Sequence, residues 1–183
     1  TRPCQIIPRK FIFLRDCVLS ARRFWGWLTL CLVLAGLLIF WFVNNWRIAI
    51  DPQAETCIDA RILLINLNDR TPQKGELYAF YSPDTASPVY HPGTRMIKRA
   101  VGAPGDVVVI APDLTISVNG KTVGHGFQHL KTNDPEILKR FLGTREIKPG
   151  RWWMMGDKDS SFDSRYWGTL PEANIYGRAY VLF

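Results

Sequence analysis

From Phe24 to Val43 the chain reads FWGWLTLCLVLAGLLIFWFV, twenty positions with no charge and no polar face. A helix rises 1.5 Å per residue, so twenty residues span about 30 Å, the depth of a bilayer's hydrocarbon core. Trp25, Trp27, Trp41 and Trp46 lie near the ends of this run, where indole rings favour the water–lipid interface. A cleaved secretory signal would carry a shorter apolar core and a small-residue cleavage site. No such site follows before Asn44–Asn45. The pattern predicts an uncleaved transmembrane helix over residues 24–43.

After this span the period changes. Arg61–Leu67 and Glu76–Phe80 read as short strands around a turn at Thr71–Gly75, which Pro72 and Gly75 punctuate. Tyr81–Thr94 holds Pro83, Pro88, Pro92 and Gly93 and is expected to be an irregular loop. Met96–Val101 and Val107–Ile110 are strand-like on either side of the turn Gly102–Asp106. Thr115–Val118 and Lys121–Val123 flank Asn119-Gly120, a pair that accepts the positive φ of a type I′ hairpin turn. Gly124–His129 reads either way, and Pro135–Leu142 suits a short helical turn. Arg151–Met155 is a strand leading into a polar loop from Gly156 to Arg165, and Tyr176–Phe183 closes the chain as a strand. The region is mainly β, with no internal repeat.

Charge adds a direction to this layout. The net charge is +7 over 183 residues. Residues 1–47 account for +6 of it, and residues 48–183 for only +1. The downstream region therefore gives no reason to expect nucleic-acid binding. Arg22 and Arg23 stand immediately before the span. The positive-inside tendency then predicts a cytoplasmic basic tail (1–23), a single-pass transmembrane helix (24–43), and an exported domain (44–183). Four cysteines are too few for a small secreted disulfide scaffold. Cys57 is the only one in the exported part, a lone thiol that is either buried and inert or reactive.

The chemistry-bearing residues are few. His91, His125 and His129 lack metal-ligand spacing, so no metal and no cofactor is expected. There is no GxSxG elbow and no phosphate-binding glycine loop. A nucleophile paired with lysine remains. Lysine acts as a base only with its amine unprotonated, a state that burial among apolar groups favours. Lys98, in the strand-like Met96–Val101, is a candidate; a surface lysine is the plainer alternative.

Met96-Ile97-Lys98-Arg99-Ala100-Val101-Gly102-Ala103-Pro104-Gly105-Asp106 resembles the lysine box of the type I signal peptidases. Gly156-Asp157-Lys158-Asp159-Ser160-Ser161-Phe162-Asp163-Ser164-Arg165-Tyr166-Trp167-Gly168 is similar to that family's C-terminal box, and Pro171–Ala179 continues the match. The resemblance implies a signal-peptidase-like β-domain tethered by one N-terminal transmembrane helix. It implies Lys98 as general base and Ser161 as the hydroxyl that orients it. Asp163 and Arg165 would be the pair that holds the loop, with Gly156 and Asp157 supporting the turn behind the site.

The departure lies at the nucleophile. The family box is roughly S-x-S-M-x-P, and no Ser occurs between Ala21 and Tyr81. The smaller TraF-type conjugative-transfer peptidases carry S-L-P, sometimes C-L-P, and Cys57-Ile58-Asp59 falls on that position. The resemblance then implies Cys57 as nucleophile, with Thr56 as the second choice. Glu55 stands where the family often places an oxyanion-binding hydroxyl, which would leave more of that stabilisation to the Cys57 N–H. The expected activity is cleavage of an exported precursor. The substrate expected from the TraF-type resemblance is a conjugative pilin, either cut or cut and cyclised, with the transfer apparatus as a further partner. A general signal peptidase acting on signal-peptide-bearing preproteins is the alternative. A non-catalytic assembly subunit is the rival of another class.

Overall fold

A computed structural model describes residues 10–51, 57–87, 89–130 and 134–183, with side chains from residue 22 onward except Pro135. Glu55 and Thr56 lie outside the described residues, as does the start of the basic tail. Helix α1 covers Lys10–Asn45. It is longer than the predicted 24–43 because residues 10–23 contain neither Pro nor Gly, while Pro3 and Pro8 precede it. Its part from Arg22 to Asn45 is long and apolar enough to cross a membrane. Residues 1–44 form one unit and Asn45–Phe183 another.

The second unit is built of two antiparallel sheets. Its strands are β1 (Trp46–Ile50), β2 (Ile62–Asn66), β3 (Leu77–Tyr81), β4 (Arg95–Gly102), β5 (Val107–Ile110), β6 (Thr115–Val118), β7 (Lys121–His125), β8 (Gly143–Glu146), β9 (Arg151–Met155), β10 (Leu170–Pro171) and β11 (Ile175–Val181). The larger sheet has the order β1-β2-β11-β3-β4-β9-β10, and the smaller one β7-β6-β5-β8. Two short helices, α2 (Pro135–Lys139) and α3 (Ser164–Trp167), complete the elements used below.

Alternation decides where each strand's side chains go. On β3, Leu77 and Ala79 join Leu63, Ile65 and Ala179 in one core, and Tyr78 and Phe80 join Ala100, Met154 and Leu170 in another. On β9, Trp152 and Met154 enter that second core. Trp153 and Met155 pack instead with Val108, Ile110, Ile116 and Val118 of the smaller sheet. Both strands are buried on two faces, which explains their continuous apolar runs. β4 bends at a register shift between Ala100 and Gly102. A Cβ on Gly102 would sit 2.6 Å from Ile147 Cδ1 and 3.0 Å from Trp153 Cβ, so a side chain here would force its neighbours to shift.

The hairpin turn forms as its sequence predicts: Asn119 and Gly120 have φ of 49° and 79°. Three strands were not anticipated, β1, β8 and β10. The polar loop after β9 also contains α3, where the Asp163 side chain accepts from the Arg165 N–H and so caps the helix.

Candidate active site

Lys98 lies on β4 between β3 and the loop that follows β9. Its β4 neighbours on the same face, Met96 and Ala100, pack into an apolar core. The alternation places the lysine side chain inward, and the residue is only 5% exposed. A buried ammonium or amine needs a partner. Lys98 Nζ donates to Ser161 Oγ at 2.7 Å, and Ser161 itself is wholly buried.

The loop carrying Ser161 is fixed from beneath. Asp163 and Arg165 are both buried, with Arg165 Nε donating to Asp163 Oδ1 at 2.9 Å. Asp163 also accepts from the Gly156 N–H at 3.1 Å. Arg165 Nη1 donates to the carbonyls of His125, Gly126 and Asp159. A buried pair survives only when its remaining donors and acceptors are satisfied, and here the loop and the end of β7 satisfy them.

Asp157 ties this loop to two other segments. Its backbone N–H donates to the Cys57 carbonyl at 2.9 Å. Its carboxylate receives two hydrogen bonds from Arg99, Nε to Oδ1 at 2.8 Å and Nη2 to Oδ2 at 2.9 Å. The bidentate carboxylate holds the Arg99 guanidinium above its ordinary pKa. Arg99 is the immediate neighbour of Lys98. Asp157 therefore anchors the Cys57 segment and the Lys98 strand at once.

Cys57 is half-buried and not in a disulfide. It lines a cavity of about 620 Å³ that Lys98, Ile58, Met96 and Phe162 also line. Lys98 and Ser161 are thus joined directly, Cys57 lines the same cavity as Lys98, and Asp157, Asp163 and Arg165 brace the loop that carries Ser161. Ser161 is wholly buried and is not among the residues that line the cavity, whereas Cys57 is.

Sequence reasoning missed two parts of this environment. The linear boxes assign Arg99 no role, because its partner Asp157 lies 58 residues away. His129 is exposed. Its ring lies edge-on to Phe162 and Tyr166, and its Nε2 is 2.6 Å from the Ser160 carbonyl oxygen. No periodicity links residues 129 and 160, so only the fold reveals the contact. Among the described residues no group of His, Cys, Asp and Glu could hold a metal.

The sequence profile of the signal peptidases, peptidase S26, matches residues 21–183. Signal peptidase I of Pseudomonas fluorescens is 30% identical over 145 residues, covering 61% of this chain and 49% of its own length. Probable signal peptidase I-2 of Synechocystis is 30% identical over 129 residues, covering 69% of this chain and 56% of its own length. Signal peptidase I V of Bacillus subtilis is 38% identical over 91 residues, 45% of this chain and 54% of its own length. The chain spans about half the length of these curated relatives. Its mainly β architecture and paired boxes agree with the profile match, and the chain belongs to the signal peptidase family, peptidase S26.

Proposed function

We propose that this chain is a membrane-anchored endopeptidase of the signal-peptidase type. Cys57 is its nucleophile and Lys98 its general base, and its substrate is an exported precursor, a conjugative pilin. One observation carries the catalytic reading. The Lys98 amine is held at 2.7 Å by a buried serine, on the wall of a cavity that the Cys57 residue also lines.

The chemistry follows from those positions. The Cys57 thiol gives its proton to the neutral Lys98 amine as the sulfur attacks the scissile carbonyl. The tetrahedral intermediate collapses to a thioester when the Lys98 ammonium protonates the leaving amine. Water then releases the acid and regenerates the thiol; a substrate amine in place of water would give a cyclic product. A thiol, with an ordinary pKa of about 8.5, needs less help from its base than a serine hydroxyl. Ser161 is wholly buried, which argues for an orienting role and against attack on substrate. Asp157, Asp163 and Arg165 support the loop.

In this reading, residues 1–23 are cytoplasmic, α1 crosses the inner membrane, and the β-domain lies outside the cytoplasm. The pilin substrate rests on the likeness of Cys57-Ile58-Asp59 to the TraF-type box. A general signal peptidase acting on many preproteins is the second reading, favoured by the names of the relatives above. Incubating the purified protein with pilin precursor and with an unrelated preprotein separates the two. Cys57→Ala and Lys98→Ala should each lower kcat/KM by at least ~10³-fold, as expected for loss of a nucleophile or its base. Cleavage that survives both substitutions would refute the dyad. Binding of precursor with no cleavage by the wild type would support a non-catalytic assembly subunit instead.

A further inference from the structure

Ser161 Oγ accepts from the Lys98 amine at 2.7 Å, so whatever fixes Ser161 also fixes the amine. Ser161 belongs to the loop between β9 and α3. That loop is held in part from within, where Asp163 accepts from the Gly156 N–H and pairs with Arg165. It also rests on residues 125–129, the end of β7 and the turn after it. There the His125 N–H donates to Asp159 Oδ1 at 2.8 Å, and the His129 N–H donates to Tyr166 Oη at 3.0 Å.

The His129 side chain goes further, because it meets both chain neighbours of Ser161. Its Nε2 lies 2.6 Å from the Ser160 carbonyl oxygen. A carbonyl oxygen only accepts, so Nε2 carries the hydrogen in this contact, in the neutral ring and in the imidazolium alike. On the other flank, the Phe162 ring stacks on that of Tyr166 at 4.9 Å, and the imidazole stands edge-on to both, at 5.8 and 5.6 Å. Packing as well as the hydrogen bond therefore sets the orientation of the imidazole. His129 itself is exposed, so its loss opens no cavity in a core and should leave stability nearly unchanged.

We infer that His129 is a positioning residue: its Nε2–H holds the Ser160 carbonyl and thereby sets the Ser161 hydroxyl against the Lys98 amine. The inference rests on the peptidase reading, in which that amine is the base. His129 touches neither substrate nor the reacting atoms, so its effect falls on the chemical step and not on substrate binding.

The test uses the full chain in detergent and a labelled peptide spanning a precursor's cleavage junction. His129→Leu removes the donor and keeps an apolar side chain, whereas His129→Gln places an amide N–H at the same reach. The Leu variant should lower kcat about tenfold or more with KM unchanged, since a small misplacement of a catalytic group carries a large cost in rate. The Gln variant should recover most of that loss, and the urea midpoints of both should stay near the wild-type value. In a Ser161→Ala background the Leu change should cost less than about twofold, because its route runs through the missing hydroxyl. An unchanged kcat in the Leu variant, an equal loss in both variants, or a full loss on top of Ser161→Ala would each overturn the positioning role and leave the dyad in place. Amide hydrogen exchange of residues 156–163, followed by mass spectrometry, reads the same contact without turnover. Faster exchange in the Leu variant but not in the Gln variant, with no cleavage by the wild type, would uphold the hold on Ser161 and defeat the peptidase reading. Unchanged exchange and unchanged kcat in the Leu variant of a chain that cuts the peptide would do the reverse.

Discussion

Gly156 has no side chain, and the space where one would lie is occupied. A Cβ there would overlap the Ser161 hydroxymethyl group and come 2.9 Å from the Cys57 carbonyl oxygen. Gly156→Ala should therefore push Ser161 away from Lys98 and displace the Cys57 backbone. The expected result is a folded protein whose kcat falls about as far as that of Ser161→Ala, measured with a cleavable peptide. Asp163 lies deeper. Removing it leaves the buried Arg165 guanidinium without its carboxylate, a kind of loss that costs about 3–5 kcal/mol. Asp163→Ala should lower the urea midpoint correspondingly, and near-ultraviolet circular dichroism should report loosened packing. The lysine, serine, aspartate and arginine were legible because short linear boxes carry them. The Arg99–Asp157 pair joins positions 58 residues apart and could not be read from spacing.

At the scale of elements, the turn between β4 and β5 shows how a loop is stabilised by charge. Burial alone would raise the Asp106 carboxyl. Hydrogen bonds from Lys74, the Ala103 N–H and Asn119 outweigh it and hold the pKa below the ordinary value. The folded state therefore binds this proton less tightly than the unfolded chain. The stabilisation is complete above about pH 4, the unfolded value, and is lost as pH falls through the folded pKa. Urea midpoints followed from pH 6 to pH 2 should drop more steeply for the wild type than for Asp106→Asn. Strands with buried residues, such as β2, β3, β4 and β9, were legible because burial writes a pattern into them. β8, Gly143–Glu146, is polar and mostly exposed, and it exists because β5 offers it a register. β1 leaves Ile48 and Ile50 exposed, so its pairing with β2 has no matching burial signal.

At the scale of the whole molecule, the β-domain carries its own cores within Asn45–Phe183. A unit with its own core can fold alone. A protein beginning at Asn45 should retain a β-rich spectrum and unfold cooperatively in urea. Keeping Asn45 matters, since its carbonyl and side chain accept from the Leu67 N–H and the Asn68 amide. An aggregated or unstructured product would show that the domain depends on the preceding helix. The two-sheet layout was not evident from strand signals alone: the apolar run of β9 tells that both its faces are buried, but not that one of them packs on a second sheet. Arg165 also joins them, reaching from the Ser161 loop to the carbonyls of His125 and Gly126. That contact sets the terms for chimeras among relatives. Exchanging the β6–β7 hairpin tip would cost the Asn119 hydrogen bonds to Asp106 and Val107, and a graft that shifts the strand's end by one residue would unseat the Ser161 loop, which it meets through His125 and Arg165.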